Sequence, residues 1–145
     1  MSAIKQLEEI LVNLQPVLQP GTYVFIQADP ARPIEMSRIV ALIREPEGLS
    51  LVVEEAVARA AGFSLALRCA WITLKVHSDL ETVGLTAAFA SALAGAGISC
   101  NVVAGLHHDH LFVPVHQAER AMSELQALQE GKKWSPSIAS DAFPS

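Results

Sequence analysis

At 145 residues, the chain has room for one ordinary domain or two very small ones. Its net charge of -5 and its scattered basic residues, with Lys132-Lys133 the sole adjacent basic pair, argue against a nucleic-acid partner, which needs a basic face to neutralise phosphates. No apolar run approaches the ~20 residues of a membrane helix, so no membrane partner is expected.

The first half reads as follows. Ile4, Leu7, Leu11 and Leu14 recur at helical spacing, and this helix should end near Gln15 because Pro16 follows. Pro20-Gly21 signals a turn. The β-branched and aromatic run over 22–28 predicts a strand. A loop over 29–38, holding two prolines, leads to a second strand over 39–44. Pro46-Glu47-Gly48 is a turn before a third strand over 49–53. A short helix over 54–61 is closed by Gly62, well placed for a left-handed cap.

The second half is more regular. A strand over 68–76 puts Ile72, Leu74 and Val76 on one face and Trp71, Thr73 and Lys75 on the other. A polar turn follows. Leu85, Ala88, Phe89, Ala92, Leu93 and Ala96 then form a helical apolar stripe, with Gly95 and Gly97 flanking its end. Strands over 98–105 and 110–115 are joined by a histidine-rich hairpin, and Pro114 suits a strand end or edge. Ala118, Ala121, Met122, Leu125 and Leu128 mark a last helix. From Gly131 the chain reads as a tail, with Trp134 available to dock it.

This β-α-β-β-α order is most of a ferredoxin-like βαββαβ unit. The missing last strand must come from the first half or from a second subunit. The first half reads as a degenerate copy of the same unit, lacking its first internal helix. The expected fold class is therefore α+β, with two tandem antiparallel units. The divisions are an N-terminal unit over 1–64, a C-terminal unit over 65–130 and a tail over 131–145.

All five histidines lie between His77 and His116. A right-handed crossover makes the first two strands of such a unit point the same way. The turn after the first strand and the hairpin after the second then share one end of the sheet. His77, Ser78 and Asp79 are thus expected near His107, His108, Asp109 and His110. Gly84, at the entry to the helix, allows close approach of a ligand to the backbone. Free N–H groups at a helix N-terminus bind anions. Thr82 or Thr86 could add a hydroxyl. Ser78 and Asp79 suit a cap or turn equally well, and Asp79 could pair with an ammonium group.

Cys69 and Cys100 both lie in apolar strand-like runs. A reduced, buried pair is the default, with a disulfide only if their strands are neighbours. Lys5, Glu8 and Glu9 within an amphipathic pattern do not read as a signal peptide, so a cytoplasmic location is expected. Apolar residues are 51% and charged residues 17%, which fits either a subunit interface or an alanine-rich core.

The turn and helix over 76–89 with Gly84, the stretch over 93–103 with Gly97 and Asn101, and the hairpin and strand over 107–114 resemble the ACT domain. More narrowly, the chain is similar to small stand-alone proteins with two tandem ACT-like units, close to the regulatory ACT repeats of aspartate kinases. The match runs from about 68 to 128, and a weaker one from 22 to 62. The resemblance implies pairing of units through adjoining sheets or helices. It also implies an amino acid or similar small ligand at the strand-helix turn. Carried over, that names Asp79, Val83, Gly84 and Leu85 in the turn. It further names Asn101 and Val102 on the strand that faces the ligand of a neighbouring unit. Two features depart from the family: Val83 stands where a proline commonly precedes the glycine, and the His107–His110 hairpin is not a family feature.

The expected function is a non-catalytic sensor that binds a small molecule, an amino acid being the favoured class. Its site comprises Ser78, Asp79, Val83, Gly84, Leu85, Thr86, Asn101, Val102, His107 and His108. A homodimer is expected, with no cofactor and no enzymatic activity, since no nucleophile elbow, phosphate loop or Cys-x-x-Cys is present. Three alternatives stand beside it. One is a purely structural pairing module. Another is a metal site on His107, His108, Asp109 and His110, with His77 as a further candidate ligand, weakened because adjacent strand residues cannot all face one way. The third is a pH-sensitive subunit contact through the histidines.

Overall fold

The computed structural model describes residues 8–9, 11–75 and 84–131. The N-terminal stretch is helical at Glu8, Glu9, Leu11 and Val12. Four strands follow: β1 (Gln15–Leu18), β2 (Tyr23–Gln27), β3 (Ile39–Glu45) and β4 (Gly48–Glu54). A short helix α1 (Glu55–Ala60) leads to β5 (Arg68–Lys75). Then come α2 (Leu85–Gly95), β6 (Asn101–Ala104), β7 (Asp109–Pro114) and α3 (Ala118–Gln129). Where a helix between β2 and β3 would complete the pattern, there is one 3-10 turn, Met36–Arg38.

The described strands form one seven-stranded antiparallel sheet with the path β3-β4-β2-β5-β7-β6. β1 lies off this path, paired with β5. Strand β5 explains the layout. Its first residues, Arg68 and Cys69, pair with Val24 and Tyr23 of β2. Its later residues, Ile72 to Lys75, pair with Leu18 to Gln15 of β1. On its other side β5 pairs with β7, and β7 with β6. Reading β1-β5-β7-β6 across the second unit, β1 occupies the place of the missing last strand. Reading β3-β4-β2-β5 across the first, β5 occupies the same place there. The fold is thus α+β, with two ferredoxin-like units in tandem, each closed by a strand that belongs in sequence to the other.

Strand β1 corrects the sequence reading, which had no element between the first helix and residue 22. The helical residues stop at Val12, short of the expected end near Gln15, and Pro16 is compatible with β1 because among the described residues this short strand pairs on one side only. The second and third strands, α1 and α2 fall where the apolar patterns put them. Gly62 after α1 has φ +88, the left-handed conformation of a helix-terminating glycine. The expected first helix from Ile4, Val76 at the end of the fifth strand and the tail beyond Gly131 fall partly or wholly outside the described residues.

Side chains on the two faces of β5 go to different places. Ala70, Ile72 and Leu74 join Phe89 and Leu93 of α2, Leu125 and Leu128 of α3, and Leu11 and Leu14 in the main core. A smaller core lies beneath α1, built on Val24, Ile26, Leu51, Val53 and Ala58. The opposite face of the sheet is tiled by Tyr23, Val52, Cys69 and Phe112, with Phe25 and Trp71 packed against them. Edge-to-face contacts hold this layer: Tyr23 on Trp71 at 5.3 Å and Phe25 on Phe112 at 5.5 Å between ring centroids. These aromatic rings cover the sheet where no helix does.

Both cysteines are free. Cys69 lies on β5 and Cys100 next to β6, and β7 runs between those strands. Burial pushes both thiols up, that of Cys100 to about 11.

Candidate functional site

The register of the second unit defines one end of the sheet. Leu74, near the end of β5, sits opposite Asp109 at the start of β7, and Asp109 sits opposite Ala104 at the end of β6. The hairpin joining β6 to β7 therefore lies level with the end of β5. β5 and β6 run in the same direction, so α2 must return between them and begin at that same end. Gly84, the residue before α2, has φ +89, a conformation that side-chain-bearing residues rarely adopt. Having no side chain, it leaves the first helical N–H groups uncapped by its own residue, while its carbonyl accepts the first helical bond from Ala88 N–H at 2.8 Å.

The expected site residues divide into three groups. Ser78, Asp79 and Val83, together with His77 and Thr82, lie outside the described residues. Gly84, His107 and His108 belong to the shared end. Leu85 is buried in the main core, so only its backbone faces outward, while Thr86 is exposed on the first turn of α2. Asn101 and Val102 lie at the other end of β6, opposite Phe112 and Leu111. Adjacent strand positions point to opposite faces, so a single wall can use only one of the two side chains. Within one chain, Ala104 is nearer to the end of β5 than either. Among the described residues β6 is, however, an edge strand of the sheet, with Val102 37% exposed, so both residues are available to a neighbouring copy.

The hairpin histidines are not equivalent. Gly105 N–H donates to His108 carbonyl oxygen at 2.9 Å, which closes the turn. His107 is exposed, whereas His108 Nδ1 is buried without a hydrogen-bond partner among the described residues. His110 points to the aromatic face. Its Nδ1 accepts from Trp71 Nε1 at 3.1 Å and lies 3.2 Å from Thr73 Oγ1, which in turn accepts from Gln19 Nε2 at 3.0 Å. An indole N–H only donates, so His110 Nδ1 must be unprotonated and the proton of the neutral ring sits on Nε2. Burial, with help from His108, lowers the His110 pKa, and Asp109 opposes this. Burial also raises the Asp109 carboxyl, against the pull of His110. Among the described residues, no three His, Cys, Asp or Glu side chains converge on a point that could hold a metal ion.

Sequence reasoning placed Trp71 and Thr73 on one face but attached no role to the Gln19-Thr73-His110-Trp71 chain. The signal was present only as strand alternation. The partner strand and its register, which bring His110 opposite Thr73, are tertiary facts.

Two ACT domain models match, one over residues 2–70 and the other over 66–127. The structure is similar to that of a Vibrio cholerae protein of unknown function, described as a possible transport protein. That likeness spans 88% of this chain and 99% of that one, at 44% identity and a TM-score of 0.76. It also resembles the ligand-free regulatory subunit of Thermus thermophilus aspartate kinase, over 78% of this chain and 95% of that one, at 11% identity and a TM-score of 0.58. Clostridium acetobutylicum aspartate kinase is similar over 79% of this chain and 34% of that one, at 10% identity and a TM-score of 0.57. At such identity these two kinase structures speak to the fold alone. No curated protein matches the chain. Among the described residues no helix is long and apolar enough to cross a membrane. The chain belongs to the ACT domain family, as two ACT domains in tandem.

Proposed function

We propose that this protein is a non-catalytic regulatory sensor whose second unit binds a small molecule, an amino acid being the favoured class. The observation that carries this reading is the end of the sheet where left-handed Gly84 opens α2 beside the β6–β7 hairpin. Backbone N–H groups at the start of α2 would take the ligand's carboxylate. Asp79 would take its ammonium group, with Ser78, Val83, Leu85 and Thr86 completing the turn. His107 and His108 would close the end. Asn101 and Val102 would come from a second copy, because within one chain they lie at the far end of β6. This arrangement makes the working form a homodimer paired near the β6 edge, and we place it in the cytoplasm. The proposed divisions stay at 1–64, 65–130 and a tail over 131–145, with β5 closing both units.

The test is a thermal-shift screen of the twenty amino acids on the full chain. A ligand that binds the native state raises the melting temperature by mass action. The expected result is a rise with one amino acid that disappears in Asp79→Ala. No rise with any of the twenty would reject the sensor. A pairing module would then be favoured by the exposed, unpaired edge of β6.

A further inference from the structure

Strand β5 is the joint between the two units, and on its β2 side that joint is short. Among the described residues of β2, Tyr23 and Val24 alone pair with it, opposite Cys69 and Arg68. Side chains extend the contact: the Trp71 ring meets the Tyr23 ring edge to face at 5.3 Å and stacks on Phe112 at 6.2 Å. What fixes the indole is the hydrogen bond that Trp71 Nε1 donates to His110 Nδ1 at 3.1 Å. A residue of the second unit thus holds the aromatic contact with the first.

The two neighbours of His110 Nδ1 respond differently to a proton. Thr73 Oγ1, 3.2 Å away, can donate its hydrogen to the neutral ring and accept one from the charged ring, because a hydroxyl does both. It keeps a second lone pair for Gln19 Nε2, which donates to it at 3.0 Å. The indole N–H can only donate. Once Nδ1 carries a proton, two N–H groups face each other across 3.1 Å, and of the two neighbours Trp71 alone loses its bond. The backbone is held independently. Trp71 pairs with Phe112 of β7, and its carbonyl oxygen accepts from Gln19 N–H at 2.9 Å. The motion is therefore confined to the indole, which is half-buried and has water to turn to.

On the strand and hairpin of His110, His108 opposes protonation of the ring and Asp109 favours it. On β5, exposed Lys75 shares the face of Thr73 two positions further on, and on β6 the residue opposite His110 is the apolar Val103. Behind Trp71, burial and Glu54 push the Tyr23 hydroxyl up, and burial pushes the Cys69 thiol up, so both stay neutral. Burial is the leading effect on His110 and sets its pKa below the ordinary 6.5.

We propose that His110 is a proton-operated latch on the joint between the two units: the neutral ring holds Trp71 against Tyr23, and the charged ring releases it. The latch is separate from the ligand site proposed above, since its side chains are none of that site's. It makes the joint responsive to mild acidification with no ligand bound.

The experiment is NMR of the full chain carrying Trp134→Phe, which leaves Trp71 as the sole indole. The Trp71 Nε1–H resonance, the His110 ring resonances and the contacts between the Trp71 and Tyr23 rings are followed from about pH 8 to about pH 5. The indole resonance should shift, and the ring contacts fade, through a midpoint shared with His110 and lying below 6.5, while far-UV circular dichroism stays constant. His108→Gln should raise that midpoint and Asp109→Asn lower it. His110→Gln, whose side-chain oxygen accepts at every pH, should leave the indole fixed. The shared midpoint decides the matter even where a variant fails to fold. An indole that ignores the titration of His110 overturns the proposal, and attraction of the charged imidazole to the indole ring 5.7 Å away would give that result. A transition that survives His110→Gln overturns it too, as does one that coincides with loss of secondary structure.

Discussion

The two units share a topology but differ in how they are held together. The second has a full helical layer: α2, α3 and the N-terminal helical stretch cover Ile72, Leu74, Leu111 and Val113 in one large core. The first has only the short α1 over Val24, Ile26, Leu51 and Val53, and a 3-10 turn in place of its other helix. Loss of that helix leaves the first unit with less buried apolar surface. The difference also predicts that stability resides mainly in the second unit, since apolar burial is the dominant favourable contribution.

The sharpest test of this contrast is Phe89→Ala, at a fully buried position in the large core. It should cost about 3–5 kcal/mol, whereas Leu51→Ala beneath α1 should fall near the low end of about 2–5 kcal/mol. Urea denaturation of both variants checks this. Equal costs would mean that the first unit is as tightly built as the second.

Leu14→Ala tests the exchange of strands. Leu14 precedes β1, is fully buried and packs with Leu125 and Leu128, so its loss should cost about 2–5 kcal/mol. Amide hydrogen exchange should accelerate in α3 and β7 and much less in β3 and β4. The reverse pattern would show that the N-terminal segment serves the unit it belongs to in sequence.

A smaller effect is expected at the turn. Gly84→Ala forces a side chain into the left-handed region and should cost about 1–2 kcal/mol, read as a lower melting temperature. Gly84→Asn, a residue that tolerates this region better, should recover part of the loss.

The smallest effect is a pH dependence. The folded-state pKa of His110 is lowered from its ordinary 6.5, so the native state favours the neutral ring. Its contribution to stability is present above 6.5 and is lost as pH falls through the lowered value. Protonation would also remove the acceptor that Trp71 Nε1 uses. The melting temperature should therefore fall on mild acidification. The fall should be shallower in His110→Gln, which separates it from Asp109, whose carboxyl burial raises.

Much of the second unit was legible because its signals are local. The alternation over β5 and the stripe from Leu85 to Leu93 are periodic patterns that a window of residues carries by itself. β1 was not legible, since its four residues contain Pro16 and become a strand only by pairing with β5. The hairpin was anticipated, but the different environments of His107, His108 and His110 depend on register. The Gln19-Thr73-His110-Trp71 chain was not legible because it joins three segments that only the register of β5 and β7 brings together.

The reciprocal closure of the units has a consequence for how the chain is made. β1 leaves the ribosome well before its partner residues Ile72 to Lys75. Leu11 and Leu14 wait longer still for Leu125 and Leu128. The segment over 11–18 is thus a strand without a sheet until those residues emerge, and its contacts span much of the described chain. Such non-local pairing is slow. A strand of four residues that includes Pro16 is a poor template for aggregation in the interval, since it offers few unpaired donors and is too short to recruit another chain.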